Sequence, residues 1–298
     1  MNTTLNPLHA PAPPDRPASS ASAASSASSV PSRSTTPSIR SVAARAVGEL
    51  RARQPRLASF GVLLLALILP MAVAWLFDDR MVQGANVWIK PIKFALSIAV
   101  FALTTAWFVG HLPPQRRRSR AVERIVWLVI GSGTFELAYI TLQAALGEAS
   151  HYNVGDAFHG AMYTLMGLGA TLLTATQPML AWELYRHPDP ARPTAYRQSV
   201  LAGLTLTFVM GAGVGWLLGG LEPPRDPSGI PLLGWVLTGG DLRPAHFVGV
   251  HAAQVLPLLG FAVAASRLPG ARRIVWIGTL LYVGLFAGLV ALGLDGRV

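Results

Sequence analysis

There is no cysteine among the 298 residues. Disulfides, thiolate metal sites and cysteine nucleophiles are therefore excluded, and the redox compartment stays undecided. Any cofactor must be held by histidine, methionine, carboxylate or non-covalent packing. Charge is scarce as well: 13% of residues are Asp, Glu, Lys or Arg against 52% hydrophobic, and mean hydropathy is +0.44. That balance is wrong for an ordinary soluble domain and right for a polytopic membrane protein. Lysine occurs only at Lys90 and Lys93. The net charge of +10 is thus carried by arginine, and its placement decides what it means.

Large apolar side chains are nearly missing from residues 1–37, which are mostly Ala, Ser, Pro and Thr. Such a run cannot bury enough surface to offset its ordering entropy, so a disordered cytoplasmic tail is expected. It does not resemble a secretory signal, because no apolar core begins before Leu57 and that core is too long. Residues 38–56 differ. Ile39, Val42, Ala43, Ala46, Val47 and Leu50 fall at helical spacing, with Arg40, Arg45, Arg51 and Arg53 between them. This reads as a basic amphipathic juxtamembrane helix on an anionic membrane face. A charged flank that only fixes topology is the alternative.

Residues 57–298 hold seven apolar stretches near the ~20 residues needed to cross a bilayer. They are Leu57–Phe77, Val87–His111, Arg124–Leu146, Ala157–Tyr185, Ser199–Gly219, Pro244–Ser266 and Arg273–Leu294. The expected fold class is all-α: a polytopic membrane bundle of seven transmembrane helices. Arginines crowd residues 40–56, after two in the tail, and alternate connections, at Arg116–Arg118, Arg186–Arg197 and Arg267–Arg273. The positive-inside rule then places the N-terminus in and the C-terminus out, a multi-pass protein of the inner membrane with its N-terminus cytoplasmic. Topology accounts for the basic charge, so no nucleic-acid partner is expected and the lipid bilayer is. Gly211, Gly215 and Gly219 form a smooth strip for helix packing, and Gly284 and Gly288 repeat the spacing.

The unusual polar residues gather toward the outer side. Lys90 and Lys93 sit one helical turn apart, where snorkelling to headgroups competes with binding an anion. Asp241 or a small anionic ligand would serve as their partner. Glu136 lies deep in the third span, in line with Tyr139 and Gln143, where an unpaired carboxylate costs roughly 2.5 kcal/mol or more. Asp156 suits a helix cap, His159 enters the fourth span by one turn, and His151 reads as a loop residue. The sixth span opens Gly240-Asp-Leu-Arg-Pro-Ala-His-Phe-Val-Gly-Val-His-Ala-Ala-Gln254. His246 and His251 stand roughly 140° apart around that helix, so they do not grip one ion from one face.

Three stretches resemble an uncharacterised family of bacterial polytopic membrane proteins. They are Trp88-Ile-Lys-Pro-Ile-Lys-Phe94, Gln143 through Ser150-His-Tyr-Asn153, and Gly240 through Gln254. The resemblance implies a bacterial membrane protein and carries over no catalytic residue.

Four functions compete. The leading expectation is a periplasm-facing polar pocket that binds haem or a divalent metal through His159, His246 and His251 for electron transfer. Glu136, Gln143 and Gln254 would handle a proton or act as counter-ions beside it. The second is a proton-coupled transporter of a small anion attracted by Lys90, Lys93 and Arg243, although the spans show no internal repeat. The third is a zinc-dependent intramembrane hydrolase, for which no general acid is identifiable. The last is a structural or sensory membrane protein. Whether the chain is an enzyme, and its oligomeric state, are not legible at this level.

Overall fold

The computed structural model describes residues 39–224, 229–230 and 233–295. The expected disordered tail lies outside them. The described chain is a helix bundle with one short hairpin. In order it runs α1 (Ile39–Arg53), α2 (Pro55–Phe77), β1 (Met81–Val82), β2 (Ala85–Asn86), α3 (Ile89–Val109), α4 (Arg120–Leu146) and α5 (Ala157–Arg186). Then come α6 (Thr194–Leu206), α7 (Gly213–Gly220), α8 (Arg243–Val250), α9 (Ala252–Ala265) and α10 (Ala271–Leu294).

Local chemistry explains the boundaries. Pro55 forbids α1 from running straight into α2, and Gln54 caps the new helix by accepting from the Arg56 N–H at 3.0 Å. Ser119 caps α4 through the Val122 N–H, and Gly147 ends it in the left-handed region at φ 78°. Asp156 caps α5 as expected, its Oδ1 accepting from the His159 N–H at 3.0 Å.

All seven apolar stretches are helical, but they are not equivalent. Five helices are long and apolar enough to cross a membrane: α2, α3, α4, the run Thr194–Gly220 and α10. A sixth is reached if α8 and α9, bent by 52° at His251, count as one broken span. α5 has the length, 30 residues, but its threonines, glycines, Gln177 and Pro178 dilute its apolar character below that of the others. The chain is therefore a polytopic, largely helical membrane protein with five to six candidate spans.

Two of these helices are interrupted where they meet. Between α6 and α7 the backbone widens into a π-helical segment, Thr207–Ala212. It faces the bend between α8 and α9. A Cβ on Gly249 would lie 2.9 Å from backbone atoms of Met210 and Gly211, and one on Gly211 would lie 2.8 Å from Val250. Only glycine permits that approach. The groups freed by the breaks find partners: the Thr207 hydroxyl accepts from the Ala253 N–H at 2.8 Å, and the Gly211 carbonyl meets His246 Nδ1 at 3.1 Å. The expected packing strip is thus real at Gly211. At Gly284 and Gly288 an added Cβ would meet nothing within 4 Å among the described residues, so that part of the expectation is corrected.

The hairpin positions the entrance to α3. Gln83 (φ 54°) and Gly84 (φ 79°) form its turn, the left-handed pair that suits a two-residue loop. Asp78 holds it, accepting from Arg80 and from Trp88 Nε1 at 2.8 Å. Arg80 Nη1 also donates to the Ala145 carbonyl at 3.1 Å, tying the hairpin to the end of α4.

Candidate functional site

The end of the bundle opposite the arginine-rich connections carries the polar cluster. Asn86 Oδ1 accepts from the Trp88 N–H at 2.9 Å and starts the turn that leads into α3. Lys90 and Lys93 follow in its first turns, both half-buried. Lys93 Nζ reaches only the Leu233 carbonyl, at 3.4 Å. Lys90 makes no hydrogen bond or ion pair with any described residue. Carboxylates are plentiful at this end, yet none pairs with either lysine among the described residues.

Asp241 was the expected protein partner, and the structure corrects this. Asp241 is 3% exposed as a residue, and its carboxylate is fully buried and saturated. It accepts from the Val236 N–H at 2.9 Å, the Arg243 N–H at 2.9 Å, and the Arg243 guanidinium at 2.7–3.0 Å. Burial alone would raise its pKa, but Arg243 and these N–H groups hold it below the usual carboxylate value. Arg243 Nη2 also reaches the Gly234 and Pro224 carbonyls. Arg243, expected to bind an anion, is thereby committed to Asp241 and to the loop that touches Lys93.

His151 belongs to the cluster, and sequence reasoning passed it over as a loop residue. Its ring packs against Phe94 at 5.7 Å and Tyr163 at 5.9 Å between centroids, and Nδ1 meets Ser150 Oγ at 3.1 Å. Burial, then the neighbouring Lys90 charge, holds its pKa well below 6.5, so it is neutral at pH 7. Tyr152 donates to the Leu218 carbonyl at 2.5 Å and Tyr163 to the Gly219 carbonyl at 2.8 Å. These bonds attach the loop after α4, through Tyr152, and α5, through Tyr163, to the end of α7. Phe94 from α3, His151 from the loop after α4 and Tyr163 from α5 thus meet at this end of the bundle.

The three imidazoles expected to share a cofactor are each tied down separately. His159 sits between Asp156 Oδ2 at 2.5 Å and Glu148 Oε2 at 3.1 Å, beside an open depression lined also by Tyr152 and Asn153. His246 Nδ1 meets the Gly211 carbonyl. His251 Nδ1 meets the Phe247 carbonyl at 2.7 Å, with its ring 4.0 Å from that of Phe247. Among the described residues no three His, Asp or Glu side chains are grouped so as to hold a metal ion. The haem or metal reading and the zinc hydrolase therefore have no ligand cluster behind them there.

The expected proton and counter-ion residues divide. Glu136 is 4% exposed, its Oε1 has no hydrogen-bond partner, and it faces α5 at Gly169. Gln143 donates to the Tyr139 hydroxyl at 2.8 Å, leaving its Oε1 without a partner. Gln254 donates to Thr104 Oγ1 at 3.1 Å across to α3, and its own Oε1 is likewise unsatisfied. Glu136 and Gln143 share one face of α4, while Gln254 ties α9 to α3.

Compared with known proteins, the chain matches no protein-family model, no curated protein and no solved structure.

Proposed function

We propose that this multi-pass membrane protein binds a small anion at Lys90 and Lys93 and carries it across the bilayer together with a proton handled at Glu136. The observation that supports this most is the lysine pair itself: two ammonium groups one turn apart, half-buried, with no carboxylate partner among the described residues although acids are abundant at that end. Holding two like charges together costs energy that an anion between them would recover. His151 is neutral, and its Nε2–H tautomer would add a donor beside Lys90. In this reading seven helices cross a bacterial inner membrane. The arginine-rich end is cytoplasmic and the lysine end faces outward.

Glu136 supports the proton half. An ionised carboxyl at that depth, with no cation against it, costs about 2.5–3.5 kcal/mol, which favours a group that carries a proton. The paired breaks at Thr207–Ala212 and His251 supply the discontinuous helices that carriers use to move around a binding site. Uptake into proteoliposomes of labelled acetate, phosphate and sulfate, driven by an inward proton gradient, tests the proposal. Uptake of one of these, lost in Lys90→Gln/Lys93→Gln, is expected. No gradient-driven uptake of any of them, or uptake unchanged in that variant, would overturn it.

A further inference from the structure

The arginine-rich end has its own pattern, independent of the lysine site. Its described carboxylates are Glu49, Glu123, Glu183 and Asp189, and each is already occupied. Glu49 pairs with Arg53 at 2.8 Å, Glu123 with Arg56, Glu183 with Arg116 at 2.6 Å, and Asp189 with Arg192 at 3.0 Å. Every other arginine at this end lacks a carboxylate among the described residues. On α1 these are Arg40, Arg45 and Arg51, all exposed.

The depth of this end is marked by three guanidinium–indole contacts. Arg53 lies over Trp107 at 3.8 Å, Arg56 over Trp127 at 5.4 Å, and Arg186 over Trp182 at 5.6 Å. Partly exposed tryptophans beside cations are the signature of the headgroup layer. The last turn of α1 is fixed there, because Arg53 Nη1 donates to the Trp107 carbonyl at 3.1 Å. Only its C-terminal turns are anchored in this way. Residues 42–46 are exposed, including Val42.

We infer that α1 is a docking surface for anionic phospholipids, whose headgroup phosphodiesters are held by Arg40, Arg45 and Arg51. Charge decides the occupant. The tail that precedes α1 offers only Asp15 as an acid, and a second copy would bring the same unpaired arginines. The leaflet lying against this end supplies negative charge at the depth that the tryptophans mark.

The test is hydrogen exchange of residues 39–53 in the full chain, reconstituted in nanodiscs of phosphatidylcholine with or without phosphatidylglycerol. Exchange on the order of tenfold slower with phosphatidylglycerol is expected for the natural chain, with no slowing in R40Q/R45Q/R51Q. The Lys90→Gln/Lys93→Gln variant keeps the lipid response, so failure of the anion-carrier reading would leave this result intact. Equal exchange in both lipids, equal slowing in the triple variant, or the same slowing produced by inorganic phosphate in phosphatidylcholine would each overturn the inference.

Discussion

Arg243 grips Asp241 side-on, with Nε 2.9 Å from Oδ1 and Nη2 2.7 Å from Oδ2. The pair lies at the mouth of α8, folds the preceding loop through Val236 and Gly234, and removes the carboxylate that the lysines would otherwise take. Breaking a buried pair leaves a charge without compensation. Asp241→Asn is expected to cost about 3 kcal/mol, a fall of roughly 6–12 °C in the thermal midpoint of the purified protein. A midpoint within 2 °C of the natural chain's, roughly, would count against the pair's structural role.

The same carboxylate sets an acid limit. Its pKa is lower folded than the ordinary 3.8, so the unfolded chain binds its proton more readily. The stability it contributes is fully present above the unfolded value and is lost as pH falls through the folded one. Denaturation midpoints taken between pH 7 and pH 3 are expected to drop below about pH 4 in the natural chain. Asp241→Asn should flatten that part of the curve.

Close helix approach makes a separate forecast. Gly249→Ala forces a methyl against the backbone of Met210 and Gly211 and is expected to destabilise by about 1–3 kcal/mol. Gly284→Ala and Gly288→Ala meet open space and should stay within about 0.5 kcal/mol of the natural chain. Thermal melts of the three variants side by side would check the contrast.

Glu136→Gln keeps the shape of the side chain and removes its exchangeable proton. The fold is expected to survive, because no ion pair is broken. Anion uptake should then proceed at a rate indifferent to an imposed pH gradient, measured in proteoliposomes with and without a proton ionophore. A variant that still responds to the gradient as the natural chain does would remove Glu136 from the coupling.

Much of the fold was legible because apolar runs of membrane length and the cap at Asp156 are local signals. Asp156 fixed a boundary by chemistry that needs no distant partner; Gly147 and Pro55 do the same in the structure, although the sequence reading did not use them. The π-helical segment opposite the bend at His251 was not legible, since it arises from one helix accommodating another. The site was read in part. Lys90, Lys93 and Glu136 stood out because unpaired charge in an apolar helix is costly wherever it falls. His151 did not, because its place depends on Phe94 and Tyr163 reaching it from two other helices. Three histidines in the outer halves of two helices suggested a shared cofactor. Spacing along the chain carries no information on which backbone carbonyl each ring meets, and His246 and His251 turn to different ones.

The lysine pair is the claim on which the functional account rests, and equilibrium anion binding tests it most directly. Detergent-purified protein would be titrated with acetate, phosphate and sulfate by calorimetry, beside Lys90→Gln/Lys93→Gln and the single variants. Saturable binding of at least one anion is expected, weakened about tenfold or more by each single change and abolished by the double. Binding of equal affinity in the double variant, or none to the natural chain, would contradict the account.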